Sequence, residues 1–134
     1  MTADIAGQLI DSMPFARSLG MRIDAATPQE VAGSLAWAPD RCTAGGVLHG
    51  GAIMALADSL GGACAFLNLP AGATTSTIES KTNFFRAVTS GSVRAVARPL
   101  HIGRSTIVVQ TDLFDDDDRR VAQVTQTQAV RPPR

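Results

Sequence analysis

The amino-acid sequence predicts an α+β domain in which a curved antiparallel sheet wraps around one long central helix. Residues 50–69 are apolar nearly all round and are interrupted only by Asp58, Ser59 and Asn68. Two short segments with alternating apolar residues precede this stretch, and four segments of β type follow it at regular spacing. A helix without a polar face must be buried on most of its sides. Six strands bury such a helix only if their sheet curves around it.

The remaining elements follow from proline, glycine and the alternation of apolar and polar residues. A short helix over residues 3–12 ends before Pro14, because the residue that precedes a proline disfavours the helical conformation. Thr27 and Pro28 mark the turn between the first two strands, and an antiparallel meander is the simplest arrangement of the last four. The predicted strands are residues 20–26, 30–37, 74–85, 92–100, 105–114 and 119–130, with a turn at 101–104 and a solvated hairpin tip at 115–118.

Length and composition exclude several classes of protein. The 134 residues fit one domain, residues 1–134, and a chain of this length buries roughly 67% of its unfolded surface. Twelve basic residues balance twelve acidic ones and 4% of residues are aromatic, so no nucleic-acid partner is expected. The two cysteines have neither C-x-x-C spacing nor a nearby histidine cluster, so neither a disulfide framework nor a metal site is expected.

The sequence also argues against secretion and membrane insertion. The first residues carry acids at positions 4 and 11 and no basic region before an apolar stretch, unlike a secretory signal. An aspartate near the middle of residues 50–69 would cost about 2.5 to 3.5 kcal/mol in a bilayer. We therefore expect a cytoplasmic protein without a membrane partner.

The first candidate site lies where the long helix begins, at His49, Gly50 and Gly51. The first N–H groups of a helix have no partner within it and lie at the positive end of the helix dipole. Two glycines there allow a substrate to approach the backbone closely. Gly50 N–H, with Gly51 N–H as a second candidate, would polarise a carbonyl oxygen as an oxyanion hole does. Glycines that only relieve crowding at a helix start are the alternative.

Asp58 is the second candidate, because a carboxylate on an apolar helix is costly to bury unless it is paired or serves a function. Eight helical residues separate it from Gly50, about 12 Å along the axis, so one chain cannot bring both groups to the same carbonyl. A second copy of the helix, packed antiparallel, would place Asp58 of one chain beside Gly50 of the other. The alternative is a structural acid that caps a backbone group or bonds Ser59.

Three stretches resemble a known family. They are G-G-V-L-H-G-G-A-I-M-A-L-A-D-S-L-G-G (45–62), S-T-I-E-S-K-T-N-F-F-R-A-V (76–88) and H-I-G-R-S (101–105). Together they resemble the hotdog-fold acyl-CoA thioesterases of the phenylacetate-pathway (PaaI-like) type, and the resemblance extends from about Pro14 to Val130. It implies a hotdog fold and a homodimer, alone or as a dimer of dimers, with sites at its interface. It also implies hydrolysis of an acyl-CoA to a free acid and CoA, with no cofactor beyond the CoA of the substrate.

The resemblance assigns roles to four residues. Gly50 matches the backbone oxyanion donor, Asp58 the carboxylate that attacks or activates water, and His49 the histidine that steadies the thioester. Thr77 lies where relatives often have a Ser or Thr that orients water beside the acid. The family usually has Asn or Gln six residues before the histidine, where this chain has Thr43.

The remaining expected contacts concern substrate binding. We expect Phe84, with neighbouring apolar residues, to line the acyl pocket at the dimer interface. The turn at Gly103 and Arg104 resembles one that places a guanidinium near the CoA phosphates, although an ordinary hairpin turn explains it equally well.

Nucleophilic and general-base mechanisms both remain open, and so do other functions. A non-catalytic acyl-CoA binding protein is the first alternative, and Thr43 in place of a carboxamide favours it. A hydratase on the same fold is less favoured, because His49 has no predicted acidic partner for proton transfer at carbon.

Overall fold

A six-stranded antiparallel sheet curves around one long helix in the computed structural model, which describes residues 3–134. The helices are α1 (Ala3–Asp11), α2 (Pro14–Leu19) and α3 (Gly50–Phe66). The strands are β1 (Arg22–Thr27), β2 (Glu30–Ala36), β3 (Thr74–Phe84), β4 (Ser92–Ile102), β5 (Thr106–Phe114) and β6 (Arg120–Arg131). The α+β prediction is confirmed, and most boundaries agree with the sequence within two residues.

The core forms between α3 and the concave face of the sheet. Strand β5 alternates between buried and half-buried residues with a period of two, which places Ile107, Val109 and Leu113 against the helix. Leu56 and Leu60 of α3 are fully buried against this face. The helix packs on all six strands, which explains why its sequence is so strongly apolar.

The outer face of α3 is open, which differs from the expectation of a helix buried on most sides. Gly51, Met54, Asp58 and Phe66 lie on this face and are exposed. The sheet packs against the opposite face of the helix, which carries the buried Leu56 and Leu60. An apolar helix face is therefore left uncovered within one chain.

The strand order is β1-β2-β4-β5-β6-β3, so the predicted meander is wrong for β3. After β2 the chain passes through α3 across the concave face and leaves it at the opposite edge of the sheet. Strand β3 therefore pairs with β6, from Thr74 opposite Arg131 to Phe84 opposite Ala122. Strand β4 then returns to pair with β2.

Two local features were not expected from the sequence. Helix α2 begins at Pro14, which is tolerated in the first turn because its missing N–H has no helical partner there. The helix ends at Leu19 and is followed by Gly20, which has a φ of 88°. His101 and Ile102 belong to β4 rather than to a turn, because a bulge between Pro99 and His101 lets the pairing with β5 continue. Among residues 3–134, no helix has the length and apolarity needed to cross a bilayer.

Candidate active site

The side chain of His49 caps the N-terminus of α3. Its Nδ1 accepts a hydrogen bond of 2.7 Å from Gly51 N–H. Because Nδ1 is the acceptor, the proton of the neutral ring lies on Nε2. Because the Gly51 N–H donates to His49, it is not available in this conformation to bind the carbonyl oxygen of a substrate.

Gly50 N–H, by contrast, has no acceptor within the part of the chain that the structure describes. The Phe84 ring lies over this residue, with its tip 3.1 Å from the point where a Cβ of residue 50 would be. Gly50, Thr43, Phe84 and Phe85 line one cavity of about 340 Å³. The structure thus brings Gly50 and the predicted substrate contacts Thr43 and Phe84 together, around an amide donor that is left unpaired.

Within the single chain, Asp58 is exposed and has hydrogen-bond partners, so it is neither buried nor unpaired there. Thr77 Oγ1 donates to Asp58 Oδ1 at 2.9 Å, and Gln126 Nε2 donates to the same oxygen at 3.2 Å. Gln128 Nε2 donates to Thr77 Oγ1 at 2.6 Å. The acid lies on the open face of α3, where the sheet does not cover it, and its partners on the sheet are uncharged.

Gln126 and Gln128 are site residues that sequence reasoning missed. Their side chains are 0% and 1% exposed, and they lie beneath Asp58 on the inward face of β6. Both occupy even-numbered positions in phase with the buried Ala122 and Val124. That phase is visible in the sequence, but polar residues on both faces of β6 conceal which face is inside.

Asp58 and Thr77 line a second cavity of about 440 Å³. Leu9 of α1 and Met13, which directly precedes α2, enclose it on one side, and Phe66 at the end of α3 encloses it on another. The cavity therefore has an apolar wall with one carboxylate at its edge.

The predicted catalytic residues are not adjacent within one chain. Gly50 and Asp58 lie on the same helix, eight residues or about 12 Å apart, and line different cavities. His49 and Gly51 border a third cavity, together with Cys42. One chain therefore carries the two halves of the expected site without joining them.

Arg104 is exposed at the turn between β4 and β5 and borders none of these three cavities. It has no ion pair within residues 3–134. The single chain therefore does not bring it together with the other candidates.

The β5–β6 turn, which the sequence predicts as a solvated hairpin tip, is held by hydrogen bonds to the carboxylate of Asp115. Asp115 is 8% exposed, and its Oδ1 accepts from the N–H groups of Asp117 and Arg119. Desolvation raises the pKa of Asp115, but these backbone donors and the Arg119 guanidinium outweigh it and keep the pKa below its usual value. The carboxylate thus organises the turn.

The chain is similar in sequence to known thioesterases. A model of the thioesterase superfamily matches residues 45–122. The proofreading thioesterase EntH of Cronobacter turicensis is 36% identical over 85 residues, which are 63% of this chain and 62% of that protein, so the match spans less than two thirds of the relative.

Two solved structures resemble the whole fold. A mutant of the thioesterase PA1618 from Pseudomonas aeruginosa has a TM-score of 0.90 at 32% identity, covering 95% of this chain and 94% of that one. The thioesterase HI1161 from Haemophilus influenzae has a TM-score of 0.89 at 29% identity, covering 97% and 90%. The predictions of a hotdog fold and of a thioester-hydrolase family are confirmed. The protein belongs to the thioesterase superfamily.

Proposed function

We propose that this protein is an acyl-CoA thioesterase that hydrolyses its substrate to a free acid and CoA at a site shared by two copies of the chain. The observation that carries the proposal is the division of the site. An unpaired Gly50 N–H and an accessible Asp58 carboxylate lie on one helix, too far apart to act on one carbonyl. Two antiparallel copies of α3 would join them.

The chemistry requires both halves. Attack on the thioester carbon places negative charge on its oxygen, which a fixed N–H donor stabilises by about 2.7 to 4 kcal/mol. Asp58 of the other copy would approach from the opposite side, either attacking the carbon directly or removing a proton from the attacking water. The C–S bond then breaks and CoA leaves as a thiolate that takes up a proton. After direct attack, water hydrolyses the anhydride formed with Asp58, which releases the free acid and restores the carboxylate. His49, with Nε2 free to donate, would steady the thioester.

The surface of the chain supports a homodimer. Strand β3 has eleven residues, and its outer edge pairs with no other strand of residues 3–134. A free edge of this length is normally covered. Exposed apolar side chains also lie on α3 and on β3 itself, among them Met54, Phe66, Ile78 and Phe84. Pairing of dimers into a tetramer stays a prediction, as does membership of the PaaI-like subgroup.

The cavity beside Asp58 supports an aryl or short-to-medium acyl group as substrate. Its volume of about 440 Å³ lies in the range typical of small-molecule sites, and Leu9, Met13 and Phe66 give it an apolar wall. We also propose a cytoplasmic location, which suits a CoA thioester substrate and a chain whose cysteines Cys42 and Cys64 are both free.

The test is CoA release from a panel of aryl and short-to-medium acyl-CoAs, with the wild type and Asp58→Asn. We expect Asp58→Asn to lose at least about 100-fold in kcat, since the amide neither attacks nor accepts a proton. Asp112→Asn is the matched control, because Asp112 also accepts from two glutamines but lies on the other face of the sheet. Full activity in Asp58→Asn, or release from no substrate, would overturn the proposal.

A non-catalytic acyl-CoA binding protein is the second candidate, and Thr43 favours it. Thr43 lies in the cavity beside Gly50, and its short hydroxyl replaces the longer carboxamide usual in the family. Tight CoA binding in calorimetry without measurable turnover would establish this alternative.

A further inference from the structure

Two glutamines occupy positions in the core where apolar side chains would normally lie. Gln126 and Gln128 are fully buried on the inward face of β6, among residues that pack against α3. A buried amide that is incompletely hydrogen-bonded lowers stability. Gln126 has such a cost in stability, because its Oε1 is buried without a partner among the described residues. The contacts of the two amides indicate what they do.

Of the two polar atoms of the Gln126 amide, only the nitrogen has a hydrogen-bond partner among the described residues. Its Nε2 donates to Asp58 Oδ1, whereas its Oε1 is buried and has no partner within the described part of the chain. The side chain reaches Asp58 by passing Gly61, where a Cβ would lie 2.0 Å from Oε1. Any side chain at position 61 would clash with the Gln126 amide in this conformation. The glycine therefore provides the space that lets the amide reach Asp58.

Gln128 acts through a second residue. Its Nε2 donates to Thr77 Oγ1, and the single hydroxyl proton of Thr77 is donated to Asp58 Oδ1. Because Thr77 accepts from Gln128, its own proton is directed towards the carboxylate. Two lines of donors, one direct and one relayed, thus end on the same oxygen.

We infer that Gln126 and Gln128 are positioning residues that fix the Asp58 carboxylate through Oδ1 and leave Oδ2 as its reacting oxygen. Oδ2 receives no donor from any residue that the structure describes. The inference rests on the proposed role of Asp58 and adds the orientation of that carboxylate. It also gives Thr77 the role of holding the Asp58 carboxylate, because the Thr77 hydroxyl proton is donated to that carboxylate.

The experiment replaces each glutamine by methionine, which has similar length and no N–H donor. We expect Gln126→Met to lower kcat about 10-fold with KM unchanged. The substitution removes a hydrogen bond that holds the Asp58 carboxylate in position to attack the substrate or to remove a proton from water. The melting temperature should not fall, because the substitution also removes a buried oxygen without a partner. Gln123→Met is the matched control on the same strand: Gln123 donates to Asp112 on the other face, and its replacement should leave kcat unchanged.

Gln128→Met is expected to lower kcat by about 3-fold, because the Thr77 proton remains but is no longer directed. If Gln128 acts through Thr77, Gln128→Met should cause no further loss in a Thr77→Val background. Additive losses in that double variant would contradict the relay.

The outcomes separate this inference from the proposed function. If Asp58→Asn is inactive while Gln126→Met keeps full kcat, the positioning role is wrong and the thioesterase proposal stands. If Asp58→Asn is fully active, both fail. A crystal structure of Gln126→Met gives a readout without turnover: we expect the Asp58 carboxylate to rotate, and an unchanged carboxylate would overturn the inference.

Discussion

Gly50 is the residue at which a backbone group, not a side chain, is expected to perform the chemistry. It is the first residue of α3, and His49 before it has φ −62° and ψ 132°, a conformation that a following proline accepts. Proline is also favoured at the first helical position. A proline at position 50 therefore removes this N–H in a backbone that accepts it, and its Cβ lies close to the Phe84 ring.

We predict that Gly50→Pro lowers kcat by about 10² to 10³-fold, the usual effect of removing an oxyanion donor. Gly50→Ala is the control, because it adds the same Cβ beside the Phe84 ring but keeps the N–H. Both variants are assayed for CoA release, and circular dichroism checks that α3 still forms. Equal activity of the two variants would rule out Gly50 N–H as the donor.

Gly61 and Gly62 are neighbours on α3 with opposite surroundings. A Cβ on Gly61 would lie 2.0 Å from Gln126 Oε1, whereas a Cβ on Gly62 would meet nothing within 4 Å. We predict that Gly61→Ala destabilises the protein by about 1 to 3 kcal/mol through overpacking and lowers kcat by displacing Gln126. Gly62→Ala should stabilise it by about 0.5 to 1 kcal/mol through helix propensity.

Chemical denaturation of both alanine variants measures the difference. A loss of stability in Gly62→Ala would show that another part of the assembled protein fills the space beside that residue. Equal stability of the two variants would contradict the close contact between Gly61 and Gln126.

At the scale of the elements, the β5–β6 hairpin depends on the charge of one carboxylate. The lowered pKa of Asp115 means that the folded state favours its ionised form. Such a group contributes stability above its unfolded pKa and loses this contribution as the pH falls through its lower folded pKa. The hairpin should therefore weaken in acid.

We predict that Asp115→Asn lowers the melting temperature at neutral pH, because it removes the charge that the Asp117 and Arg119 donors stabilise. The difference from the wild type should shrink as the pH falls below 3.8, the usual carboxyl pKa. Asp116→Asn, at an exposed neighbour in the same turn, is the control and should have little effect. A difference that does not change with pH would contradict this account.

The long helix shows how an element's sequence specifies burial only in part. Residues 50–69 predict one apolar helix, and α3 spans Gly50–Phe66 as expected. Apolarity on every side does not reveal what covers each side. The sheet covers one face, and the face that carries Met54 and Asp58 is left open within the chain.

At the scale of the whole molecule, the proposed site needs two chains, and subunit mixing tests this directly. Gly50→Pro and Asp58→Asn should each inactivate a homodimer. In a mixed dimer one of the two sites would receive an intact Gly50 and an intact Asp58. We predict that co-expression restores about 25% of wild-type activity, since half of randomly formed dimers are mixed and each has one working site.

A mixture of the two purified homodimers, assayed before exchange of subunits, is the control and should stay inactive. Sedimentation of the wild type should give a dimer or a larger assembly. A monomer with activity, or a lack of restoration in dimers shown to be mixed, would mean that Gly50 and Asp58 do not act across chains.

The sequence by itself determined most of the secondary structure, the α+β class, and Gly50 and Asp58 as candidates. These features depend on local properties, namely periodicity, turn residues and an acid on an apolar helix. The tertiary structure decided the rest. Strand β3 pairs with β6 because α3 carries the chain across the sheet, and this pairing gathers Thr77, Gln126 and Gln128 around Asp58. Such contacts join residues up to 68 positions apart, so no local sequence pattern predicts them.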